Sequence, residues 1–144
     1  RGEYRQDLIQ QFYTRNEDIY YTTHALAQSP IMGSRTRIFV DFHEYIAFAQ
    51  YWQWRGGRLD QVECLSGGGG RFAPRLKPQV YQFYPQLIVG YDPEFARKSY
   101  EETLGLTVQL QEVYLPSPMR LFRVIPVNPE PIRRPPDVPR GPVL

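Results

Sequence analysis

Residues 92–111, DPEFARKSYEETLGLTVQLQ, hold a helix and a strand back to back, with the change of period falling on one glycine. Asp92 can cap the helix. Pro93 fits the first turn, where its missing N–H costs nothing, and Glu94 complements the positive end of the helix dipole. The helix is predicted to run to about Leu104, with Gly105 as its stop. Beyond Gly105 the pattern alternates, with Leu106, Val108 and Leu110 on one face and Thr107, Gln109 and Gln111 on the other, as in a half-buried strand.

Working outward, Leu121, Phe122, Val124 and Ile125 form a second short strand candidate. Pro116-Ser117-Pro118 separates it from the first, so the two read as a hairpin with a wide turn. A third strand near Gln86–Tyr91 would support the pair. Upstream, helical spacing dominates. Tyr4, Leu8, Ile9, Phe12 and Tyr13 mark a helix near Glu3–Arg15. Asn16 can cap a following one in which Ile19, Tyr20, Thr23 and Leu26 share a face, ended by Pro30 and Gly33. Asp41–Arg55 reads as a third helix with Ile38, Phe42, Tyr45, Ile46, Ala49 and Trp52 on its apolar side and Gly56-Gly57 closing it. Gln79–Tyr84 reads as a short extended piece.

The expected fold is therefore α+β: a helix-rich N-terminal half of about three helices, a short β-hairpin near the C-terminus, and an extended Pro-rich C-terminal arm. The expected division is a helical body at 1–65, a Gly/Pro-rich linker at 66–85, a helix with short strands at 86–125, and the arm at 126–144. In the arm, seven prolines from Pro126 to Pro142 fix φ and remove donors, which favours extended chain.

Composition narrows the function. The 144 residues suffice for one domain with a modest core, and a net charge of +2 is too small for a phosphate-tracking surface. Nucleic acid is thus not expected as a partner, except through membership of a ribosomal particle. All but Lys77 and Lys98 of the 17 basic residues are arginine, and aromatics make up 15% of the chain. Arg, Tyr and Trp are enriched where proteins meet, although a GC-rich genome also favours arginine. Cys64 is the only cysteine, so an intrachain disulfide is excluded and an intracellular rather than secreted protein is expected. The longest apolar run, Ile38–Trp54, is broken by Asp41, His43, Glu44, Gln50 and Gln53 and makes a poor membrane span, leaving only peripheral proximity to a membrane open. A first residue that is arginine suggests a removed presequence, and with it a mitochondrial location.

Motifs for catalysis are missing. Gly67–Gly70 is followed by Arg-Phe-Ala-Pro rather than Gly-Lys-Ser/Thr, so it is no P-loop, and there is no Gly-x-Ser-x-Gly elbow. Asp41, His43 and Glu44 resemble a metal or acid–base cluster. On an ideal helix, however, His43 points about 100° from Glu44, and the group reads as solvated helix-start acids beside an ordinary histidine. No catalytic residue, metal or cofactor is expected.

The expectation is a non-catalytic accessory or structural subunit of a large assembly, such as an organellar respiratory, ATP synthase or ribosomal complex, with other protein subunits as partners. Its docking face would comprise Tyr45, Phe48, Tyr51, Trp52 and Trp54, joined by Arg133, Arg134, Pro135 and Pro136 of the arm. The alternative is a stand-alone adaptor or cytoskeletal protein. Pro-x-x-Pro segments such as those at 126–129 and 136–139 would recruit a partner domain.

Overall fold

A computed structural model describes the backbone of residues 2–65 and 72–127 and the side chains of 15–65 and 72–127. The chain is α+β, as the sequence predicts, but the sheet is larger than a hairpin. Five strands lie in the order β2-β1-β3-β5-β4: β1 (Arg37–Asp41), β2 (Val62–Leu65), β3 (Gln86–Gly90), β4 (Val108–Val113) and β5 (Arg120–Pro126). β1 runs parallel to both β2 and β3, whereas β5 is antiparallel to β3 and to β4. One sheet thus joins strands drawn from 37–65 with strands drawn from 86–126.

Helices cover both faces. On one face α1 (Gly2–Ala27) and α2 (Phe42–Trp54) place Ile19, Leu26, Phe48 and Trp52 against Ile38, Val40, Val62, Leu87, Val89 and Leu121. On the other, α3 (Pro93–Leu104) and a 3-10 helix at Pro78–Phe83 place Ala96, Tyr100, Leu104 and Tyr81 against Phe39, Ile88, Phe122 and Val124. The period-2 alternation of a strand explains why Phe39 faces one layer while its neighbours Ile38 and Val40 face the other.

The reading of 92–111 holds closely. Asp92 caps α3 by accepting from the Glu94 amide at 3.1 Å, and Gly105 closes it at φ 68° with its N–H on the Glu101 carbonyl at 2.8 Å. Four expectations need correction. The two predicted N-terminal helices are one continuous α1, and Asn16 lies inside it rather than at a cap. Ile38 belongs to β1 and not to the helix that follows. Residues 62–65 form a strand that was not foreseen, and the piece at 79–84 is 3-10 helix rather than extended, with Pro78 at its start.

Inside the sheet, Glu63 is a buried carboxylate on β2. It accepts from the Tyr81 hydroxyl at 2.7 Å and from Arg37 Nη1 and the Arg75 amide, each at 3.4 Å. Burial pushes the Glu63 carboxyl up and the Arg37 guanidinium down, so desolvation outweighs the attraction within the pair. Arg37 also donates to the Asp60 carbonyl and lies over the Tyr84 ring, 4.9 Å from its centroid. This network ties β1 and β2 to the segment leading into the 3-10 helix.

Candidate functional site

The aromatic face expected on α2 divides when the helix packs. Its buried stripe is Glu44, Phe48, Ala49 and Trp52, which makes Phe48 and Trp52 core side chains rather than docking residues. Trp52 is fixed by donating from Nε1 to Gln61 Oε1 at 3.2 Å. Phe42 and Ile46, expected on the apolar side, are exposed. Tyr45 is half-buried and accepts from Arg75 Nη2 at 3.2 Å. Trp54 is 68% exposed, and Tyr51 lies half-buried beside it. Arg133, Arg134, Pro135 and Pro136 lie outside the described residues.

What surrounds Trp54 is a built surface rather than a stray side chain. Tyr20 of α1 meets Tyr51 edge-on at 5.7 Å and lies 6.5 Å from Trp54, tilted by 33°. Arg55, the residue closing α2, lies 4.7 Å from the Tyr20 ring centroid and 5.2 Å from that of Trp54. Its guanidinium is held by donating to the Tyr20 carbonyl at 2.8 Å and to Thr23 Oγ1 at 2.9 Å. Asn16 Nδ2 donates to the Tyr51 hydroxyl at 3.2 Å. Between α1 and α2 these groups line an open groove of about 550 Å³, formed by Asn16, Tyr20, Gln50, Tyr51 and Trp54. Tyr21, half-exposed, packs edge-on against Tyr20 at its border.

No family model, no curated protein and no solved structure matches this chain.

The sequence reading missed Tyr20 and Arg55. It placed Tyr20 on one face with Ile19, Thr23 and Leu26, whereas among the described side chains of α1 the buried ones are Ile19, Thr22, Thr23 and Leu26. Their spacing of three, one and three residues is the narrow seam of a packed helix, and it leaves Tyr20 and Tyr21 off the seam. That spacing was readable from the sequence. Nothing in the sequence tells that Arg55 folds back over α1.

At the other end of α2 lies a polar group of different character. Asp41 ends β1 and caps α2, accepting from the His43 amide at 3.2 Å, and its Oδ2 is 2.7 Å from His43 Nδ1. Donor atoms of Asp41, His43 and Glu44 lie within 4.8 Å of one another. These three residues could hold a metal ion. The angular separation on the helix does not hold their donor atoms apart, because Asp41 precedes the helix and the His43 ring turns back onto it.

Proposed function

We propose that this chain is an accessory rather than catalytic component of a multi-subunit assembly, docked on a protein neighbour through the groove between α1 and α2. The observation that carries the reading is Trp54, 68% exposed yet held against Tyr20 under a guanidinium that is already hydrogen-bonded. A surface tryptophan normally gains by covering its ring. Here the ring is left open in a preformed groove, so a partner entering it orders little that is not ordered already. Tryptophan, tyrosine and arginine are also the residues that dominate binding energy at protein interfaces. No helix among the described residues is long and apolar enough to cross a membrane, and the groove is an aqueous-facing surface in this reading.

The test is sedimentation of the full chain in a gentle extract of its source cells. The intact chain is expected to migrate well above its own 16.9 kDa, and a Tyr20→Ala/Trp54→Ala chain to fall to the free position. Truncating an anchor of this kind costs about 2 kcal/mol or more, on the order of thirtyfold in affinity. Wild-type chain found only at its own mass would sink the proposal.

A further inference from the structure

The geometry points to a divalent transition-metal site, for a cation of the Zn²⁺ or Mn²⁺ class, at the C-terminal end of β1, with Asp41, His43 and Glu44 as its protein ligands. The inference is independent of the docking groove and begins with Glu44. Its side chain lies on the buried stripe of α2, four residues before Phe48, and only 6% of the residue is exposed. Its Oε2 is buried without a hydrogen-bond partner, and so is Asp41 Oδ1. Leaving a buried carboxylate oxygen unpaired costs several kcal/mol, so such groups are normally paired or coordinated. Here one donor atom from each of the two carboxylates and one from the imidazole lie within 4.8 Å of one another.

The donor set selects the ion. Carboxylates suit hard cations, imidazole suits first-row transition metals, and two carboxylates with one histidine favour Zn²⁺ or Mn²⁺ over Mg²⁺. Bonds of about 2.0–2.2 Å place tetrahedral ligand atoms roughly 3.4 Å apart, so donors already within 4.8 Å need only small side-chain rotations. With His43 Nδ1 against Asp41, Nε2 remains as a second imidazole donor atom, and either nitrogen can serve.

Room for further ligands comes from the neighbouring strand. The register pairs Val40 with Val89, so Gly90 follows on the β3 side of Asp41, and a Cβ there would meet nothing within 4 Å. The position is the carboxyl end of parallel strands, at the point where the chain has crossed from β1 to β2 on one side and places β3 on the other. Open α/β sheets hold their ligands at such switch points.

The test uses the full chain after dialysis against a chelator, at pH 7. Zn²⁺ is titrated in competition with a chromophoric chelator, and Mn²⁺ by loss of the free-ion electron paramagnetic resonance signal. One equivalent of either ion is expected to bind saturably, with a rise in melting temperature. His43→Ala should weaken binding at least tenfold, and because its side chain is 66% exposed, that variant should keep its circular dichroism spectrum. Glu44→Gln should abolish binding while leaving the metal-free protein at least as stable as wild type. His24→Ala, which removes the other histidine in the chain, should bind as wild type does. Absence of saturable binding below about 1 mM overturns the site. So does affinity unchanged in His43→Ala, or Mg²⁺ held in preference to Zn²⁺.

Discussion

At the scale of single residues, the tightest constraint is between Gly57 and Trp52. A Cβ on Gly57 would overlap Nε1, Cε2 and Cδ1 of the Trp52 indole. The ring cannot swing aside at little cost, because it is buried between α1 and the sheet and its Nε1–H is committed to Gln61. Gln61 in turn donates from Nε2 to the Gly33 carbonyl at 3.0 Å, so movement of the indole would disturb the loop before β1. Gly57→Ala is therefore expected to destabilise the protein by about 1–3 kcal/mol, the range for overpacking a well-filled core, read from the urea midpoint. Gly56 is the contrasting control. It sits at φ 92° with open space around its missing Cβ, so Gly56→Ala carries only the backbone penalty, about 1 kcal/mol. Equal, negligible losses at both positions would show that Trp52 is not seated as described. Glu63 supplies a second residue-scale prediction. Glu63→Ala removes the acceptor for Tyr81, Arg37 and Arg75 together and leaves the buried Arg37 guanidinium without its carboxylate, which should cost about 3–5 kcal/mol by the same measurement.

Among the elements, those legible in the sequence carry their own start and stop signals. α3 has Asp92, Pro93 and Gly105, all three performing the roles their chemistry suggests. Asp92→Ala should accordingly lower stability by about 0.5–2 kcal/mol, and Asp92→Asn by much less, since asparagine keeps the capping oxygen. A loss as large in Asp92→Asn as in Asp92→Ala would assign the effect to charge rather than to the cap. β1 was illegible for a physical reason. A central parallel strand is buried on both faces, so Ile38, Phe39 and Val40 form a continuous apolar run without period, and it abuts a helix that begins one residue after Asp41. Ile38 could then be drawn onto the helix. With Ile38 on the helix, the apparent buried face of α2 turns toward Phe42 and Ile46 and hides the Glu44–Phe48–Trp52 stripe, and Asp41 falls inside the helix instead of capping it beside His43. β2 was hidden by Glu63, a charge that reads as exposed and is in fact bonded inside the sheet.

Over the whole molecule, α2 connects the two candidate sites, with Glu44 in its first turn and Trp54 at its last residue, about 15 Å apart along the axis. The sheet and its two helical layers hold both ends in place, so the integrity of the two cores governs both sites. Alkaline pH probes those cores directly. Burial, followed by the charges of Asp41 and Glu63, pushes the Cys64 thiol up to about 11 from 9.0. Burial likewise raises Tyr100, and burial with the neighbouring Glu63 carboxylate raises Tyr81, both from the ordinary value of 10.0. The sign follows from proton counting. When the folded state holds its protons more tightly, the unfolded chain ionises first as pH rises, and above pH 9 it binds fewer protons than the folded one. Stability is then fully present below pH 9 and falls through the window from 9 to 11 and beyond, first with Cys64 and then with the tyrosines. Urea midpoints should therefore be level from pH 7 to 8.5 and decline steadily above 9. Tyrosinate absorbance at 295 nm should contain a late component that appears only with the loss of tertiary circular dichroism. Cys64 should resist a thiol reagent at pH 8 and react as the same transition is crossed. If the thiol instead reacts freely in folded protein, or all phenols titrate near 10 with the fold intact, the sheet is not sealed on both faces and the packing that positions α2 is wrong.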